Sequence, residues 1–162
     1  MRAISFMLAG AALLSAQPAS ADVVTDWWDV ANRYYNAAQG APGPLTPDTA
    51  RASTRTALAM FEAVNAIDRR YQSYLDIPAG DASASQEAAA ATAAFKVLLH
   101  HYPANKAPLE EGYARGMAGI PHTGAKPAGV AIGERAALAA IAAGGIDPAI
   151  VQAPYRPRAV PG

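Results

Sequence analysis

The sequence predicts an all-α protein, an irregular bundle of four or five helices followed by a proline-rich tail. Three observations carry that expectation. Alanine dominates the chain, and alanine is the strongest helix former. Val, Ile and Thr never alternate with polar residues over a strand's length. Apolar residues instead recur at helical spacing in segments punctuated by Pro and Gly.

Residues 1–21 stand apart from the fold. Met1-Arg2 gives a positive start, Ile4 to Leu14 is an uncharged apolar run, and Ala19-Ser20-Ala21 places small residues where a signal peptidase reads. This is the pattern of a secretory signal peptide cleaved after Ala21, so a periplasmic or secreted product is expected. The run is shorter than the ~20 residues a bilayer span requires, and no membrane anchor is expected after cleavage.

Residues 22–145 form the expected helical domain. Its first helix is expected over about Thr25–Gln39, with Trp27, Ala31, Tyr34 and Ala38 on one side and Gly40–Pro44 as the stop. The second starts at Thr46-Pro47-Asp48. Its expected apolar arc, Ala57, Met60, Phe61, Val64, Ile67, Tyr71 and Tyr74, carries it to about Tyr74. A loop over Asp76–Asp81 follows. The third runs from Ser83–Ser85 to about Tyr102, with Ser83 and Gln86 spaced as a capping box and Pro103 closing it. A fourth is expected over about Ala104–Ala118, with Pro108 in its first turn. A fifth is expected over Ala125–Ala143, ended by Gly144-Gly145. Residues 146–162 have no pattern that buries itself, and an extended tail is expected.

Charge excludes some functions. Without Arg2 the 13 Lys+Arg become 12 against 13 Asp+Glu, a net charge of −1. No basic patch for nucleic acid stands out. The chain has no cysteine, so no thiol nucleophile and no disulfide.

The residues that could do chemistry are few. Arg51, Arg55, Glu62, Asn65 and Arg69 fall on one narrow side of the second helix, opposite its large apolar arc. Two readings follow: a solvated or inter-helix polar face, or an anion-binding stripe through Arg51, Arg55 and Arg69. His100 and His101 are adjacent, so on a helix their side chains diverge by about 100° and do not readily share a metal. They fall near a helix C-terminus, where a protonated imidazole is favoured. Glu110 and Glu111 diverge likewise. No catalytic residue, cofactor ligand or metal site is assigned.

The order of segments is similar to a known family. "DVVTDWWDVA" (22–31), "ALAMFEAVNAID" (57–68), "YQSY" (71–74), "ASQEAAAATAAFKVLLHHYP" (84–103), "GVAIGERAALAAI" (129–141) and "YRPRAVPG" (155–162) together resemble the N-terminal helical half of bacterial vanadium-dependent haloperoxidase-like proteins. That family lies in the superfamily of type 2 phosphatidic acid phosphatases. The resemblance implies a helical bundle whose full-length members bind vanadate or phosphate through Lys, Arg, Ser and a Gly amide, with a His at the vanadium or phosphorus. Those groups belong to three motifs, Lys-x6-Arg-Pro, Ser-Gly-His and Ser-Arg-x5-His, and this chain has none of them. Seven residues before Arg156-Pro157 stands Ala149, no histidine follows a glycine, and Ala114-Arg115 leads to His122 one residue too late. No cofactor is therefore expected in this chain. The expected partners are a separate C-terminal catalytic half, or a second copy meeting it through uncovered apolar helix faces. The competing expectation is a self-sufficient exported helical module that binds a partner or small ligand.

Overall fold

The computed structural model describes residues 23–39 and 47–144. The expected signal peptide over 1–21, the stop at Gly40–Pro44, the Thr46 cap and the tail over 146–162 lie outside the described residues. Within them the fold is all-α. The helices are α1 (Val23–Gln39), α2 (Pro47–Ile67), α3 (Gln86–His101), α4 (Lys106–Ala118) and α5 (Ala125–Ala143), with a 3-10 turn at Pro103–Asn105 before α4. None of the described helices is long and apolar enough to cross a membrane.

The bundle is built around α3. Every residue from Ala88 to Ala94 is fully buried. Small side chains make this possible, because alanine lets neighbouring backbones come close on all sides. On one side α2, α3 and α5 share a core of Ala59, Ala63, Ala89, Ala93, Ile132 and Ala136. The closest approach is between α3 and α5. A Cβ at Gly129 would run into the Ser85 carbonyl, and one at Gly133 into the Ala89 carbonyl. These two glycines, one turn apart, are what let α5 lie on α3. Lys96 and Glu134 then join the two helices at 2.8 Å on the outside.

A second core lies between α1, α3 and α4, with Trp27, Tyr35, Phe95, Leu98 and Leu109 buried. Here the residues are large. Phe95 stacks on Tyr113 with ring centroids 4.5 Å apart, and the Tyr113 hydroxyl lies 2.8 Å from the Thr92 hydroxyl.

The helix ends follow local chemistry with two corrections. The N-cap of α3 is Ser85, whose Oγ accepts from the Ala88 N–H at 3.1 Å. Ser83, expected in that role with Gln86, instead turns back to Asp81: its N–H and hydroxyl both donate to Asp81 Oδ1, at 2.8 and 2.7 Å. Two bonds to one carboxylate oxygen hold Ser83 in the preceding turn. The second correction is larger: α2 ends at Ile67, seven residues before the expected Tyr74.

Candidate functional site

The early end of α2 is caused by its own polar residues. Glu62 is completely buried and Asn65 nearly so, at 5% exposure. Both point at the segment that follows α2. The Asn65 side chain donates to the Tyr71 carbonyl at 2.9 Å and accepts from the Tyr71 N–H at 3.0 Å, acting as a strand partner would. Glu62 Oε1 accepts from the N–H groups of Tyr74 and Leu75, at 2.6 and 3.1 Å. Its Oε2 accepts from the Ser73 hydroxyl at 2.6 Å, and Ser73 Oγ in turn accepts from the Ile77 N–H at 3.1 Å.

Two further bonds complete the fold-back. Arg69 donates to the Ile77 carbonyl at 2.8 Å, and the Gly80 N–H donates to the Ala66 carbonyl at 2.8 Å. The chain reverses through Asp76, whose φ of 51° is the left-handed conformation that Asp tolerates better than most residues. Ile77 then returns to the core. Continuing α2 to Tyr74 would satisfy the backbone equally well, but it would leave Glu62 and Asn65 buried without partners, which is costly.

The stripe on α2 is thus divided. Glu62 and Asn65 are buried against the loop, Arg51 and Arg55 are partly buried, with Arg55 bridging to the end of α5, and Arg69 is exposed, so the three arginines do not converge. Arg51 pairs with Asp48 at 2.9 Å, near the start of the helix. Arg55 donates to the Gly144 carbonyl at the end of α5, at 3.0 Å. Arg69 lies past the end of α2, on the loop. Arg51 and Arg55 border one shallow pocket of about 340 Å³. The sixteen residues from Arg51 to Ile67 span roughly 24 Å of helix, so Arg69 cannot reach the same small oxyanion.

Beside Arg55 sits His101. The Arg55 guanidinium only donates, so its 3.4 Å contact with His101 Nε2 makes that nitrogen an acceptor and leaves the proton on Nδ1. Burial first, then Arg55 and His100, hold His101 down at about 4 against an upward pull from Asp48. The protonated imidazole expected at a helix end does not form at neutral pH at this position. Tyr102, next to it, is pushed up to about 12 by burial, Tyr35 and Asp48. The buried Tyr35 hydroxyl donates to Thr56 Oγ1 at 3.1 Å, and burial raises it as well. Among the described residues no three His, Cys, Asp or Glu side chains gather as metal ligands do. This group binds helix ends together and offers no nucleophile with a base beside it.

The feature that can receive a ligand is on the other side of α2. The large apolar arc expected to face the core is only partly buried. Met60 and Ile67 are inside, but Phe61 and Val64 are only partly buried, and Tyr71 and Tyr74 are 69% and 79% exposed. Met60, Phe61, Val64 and Tyr71, with Val24 and Trp28 of α1, border an open groove of about 670 Å³, a size typical of small-ligand sites. Phe61 supports both tyrosines, with ring centroids 6.1 Å from Tyr71 and 5.8 Å from Tyr74. Sequence reasoning missed this groove because a helical wheel ranks faces by hydrophobicity. The face that packs here is the small one, Ala52, Ala59, Ala63 and Ala66.

Among the described residues the architecture is that of an α-helical protein with a hydrogen-bonded fold-back loop and an open apolar groove. The chain matches no known protein family, no curated protein and no solved structure.

Proposed function

We propose that this chain is an exported helical scaffold region of a vanadium-dependent haloperoxidase or acid phosphatase-like protein, inactive alone, that presents an apolar groove to further polypeptide. The observation that carries the reading is the uncovered apolar arc of α2. Phe61 and Val64 line a groove of about 670 Å³ that no helix of the described chain fills. An apolar concavity of this kind on a well-packed bundle marks an association surface. The arginines of the polar stripe bond to Asp48, Gly144 and Ile77, and bonds of this kind suit a scaffold. Vanadate or phosphate would be held by residues outside this chain, through the cationic and imidazole groups that stabilise a trigonal-bipyramidal oxyanion.

A second reading, a self-sufficient exported module whose groove binds a partner or small ligand, draws on the same groove. The genomic reading frame past Gly162 separates the two. Lys-x6-Arg-Pro, Ser-Gly-His and Ser-Arg-x5-His motifs downstream would support the scaffold, and a stop codon followed by unrelated sequence would favour the module. Bromide oxidation by peroxide, or phosphomonoester cleavage, by the purified 162-residue chain with vanadate present would contradict an inactive scaffold.

A further inference from the structure

The geometry points to a particular occupant of the groove: a proline-rich, arginine-bearing extended segment, which the chain itself supplies as Pro154-Tyr155-Arg156-Pro157-Arg158-Ala159-Val160-Pro161. Of three observations, wall chemistry and reach select it, and the charge at the rim accommodates it. The first is the wall chemistry. Trp28 from α1, Phe61 from α2 and Tyr71 from the loop place aromatic rings from three separate elements around one groove. Prolines spaced as in Pro154-x-x-Pro157 dock into slots between such rings, and their fixed φ lowers the entropy lost on binding.

The second is charge. Asp68 and Arg70 stand at the rim, paired at 2.7 Å, and the Arg70 side chain is 73% exposed. Exposed pairs of this kind contribute little. Arg156 or Arg158 can therefore replace Arg70 on the Asp68 carboxylate at small cost. The third is reach. Gly144 is held at Arg55. Val64, nine residues on, lies half a turn around α2 and ~14 Å along it. Going around a helix ~11 Å across adds about 17 Å of arc, which makes a path of roughly 22 Å. Ten residues, from Gly144 to Pro154, span up to ~33 Å. The segment therefore reaches the groove of its own chain. This inference does not rest on the haloperoxidase reading and would survive its failure; with the segment seated, further polypeptide would reach the groove only by displacing it.

The sequence offers a clean test, since it has no cysteine and two tryptophans. A nitroxide on Ala159→Cys in the full chain is the probe, and the two indole N–H signals are the readout. With the segment seated, the Trp28 signal is broadened at least twofold more than in the same labelled chain carrying Pro154→Ala, Pro157→Ala and Pro161→Ala. These substitutions fall past the last described helix, and matching far-ultraviolet circular dichroism confirms an unchanged bundle. A mixed sample of nitroxide-labelled chain and isotope-labelled, nitroxide-free chain leaves Trp28 sharp. Equal broadening in the two labelled chains would overturn the proposal. Broadening in the mixed sample alone would overturn it too, by making a second copy the occupant.

Discussion

On one face of α2, Ala59, Ala63 and Ala66 lie against α3 and α5 with almost no exposed surface. On the opposite face, Phe61 and Val64 remain only partly buried along the groove. The face with more hydrophobic area per residue is the one left open. Close packing explains the inversion. Helices come nearest where side chains are smallest, and the alanines of α2 and α3 together with Gly129 and Gly133 of α5 set short axial distances. Buried polar groups tolerate that closeness only when each finds a partner, as Glu62 and Asn65 do in the fold-back loop.

The largest effect is expected on the closed side. Glu62→Ala removes the acceptor for the Ser73 hydroxyl and for the Tyr74 and Leu75 amides. The loss should be about 3 kcal/mol, from stranded donors and a cavity, measured as a lower urea midpoint. Glu62→Gln should recover only part of it, since the amide nitrogen offers a donor where an acceptor is needed. Next comes Gly133→Ala, whose Cβ meets the Ala89 carbonyl and lies 2.8 Å from Thr92 Cβ. Overpacking of about 1–3 kcal/mol should exceed the roughly 1 kcal/mol helix-propensity gain, so the net change is destabilising. A stabilised Gly133→Ala would break the close-packing explanation.

On the open side, Phe61→Ala should cost under about 1.5 kcal/mol, well below the ~3–5 kcal/mol typical of a buried phenylalanine. That small loss is expected in the chain carrying Pro154→Ala, Pro157→Ala and Pro161→Ala; a larger loss in urea unfolding of the unsubstituted chain is what a seated 154–161 segment predicts. The smallest effect is that of His101. Its folded value, about 4, lies below the ordinary 6.5, so between those values the unfolded chain binds more protons. The contribution is fully present above pH ~6.5 and declines as pH falls toward 4. Because the ring is half-exposed, solvent screening keeps the effect small. Melting temperatures of the wild type and His101→Asn should converge on acidification.

Much of the fold was legible in the sequence. The expected ends of α3, α4 and α5 fall close to Tyr102, Ala118 and Ala143, because Pro103 and the Gly119 and Gly144 stops act locally. The end of α2 was not legible. Ile67, Tyr71 and Tyr74 continue the helical spacing, and what ends the helix is a set of bonds between α2 side chains and backbone six to thirteen residues later. The polar stripe was visible as a stripe, but the burial of Glu62 and Asn65 within it was not. A wheel sees amphipathicity, whereas the alanine face it ranks as weak is the one that packs. Gly129 and Gly133 could have revealed this, since glycines one turn apart facing an alanine-rich helix indicate close approach.

The central claim is that Glu62 and Asn65 hold the loop rather than carry out chemistry or face water. The Tyr74 amide tests it most directly, because the Tyr74 side chain is 79% exposed while its N–H donates to the buried Glu62. Native-state hydrogen exchange should find that amide protected to the level of the α2 interior, and nearly unprotected in Glu62→Ala under conditions where the helices stay folded. Exchange of Tyr74 in the wild type at the rate of an unstructured peptide would contradict the account.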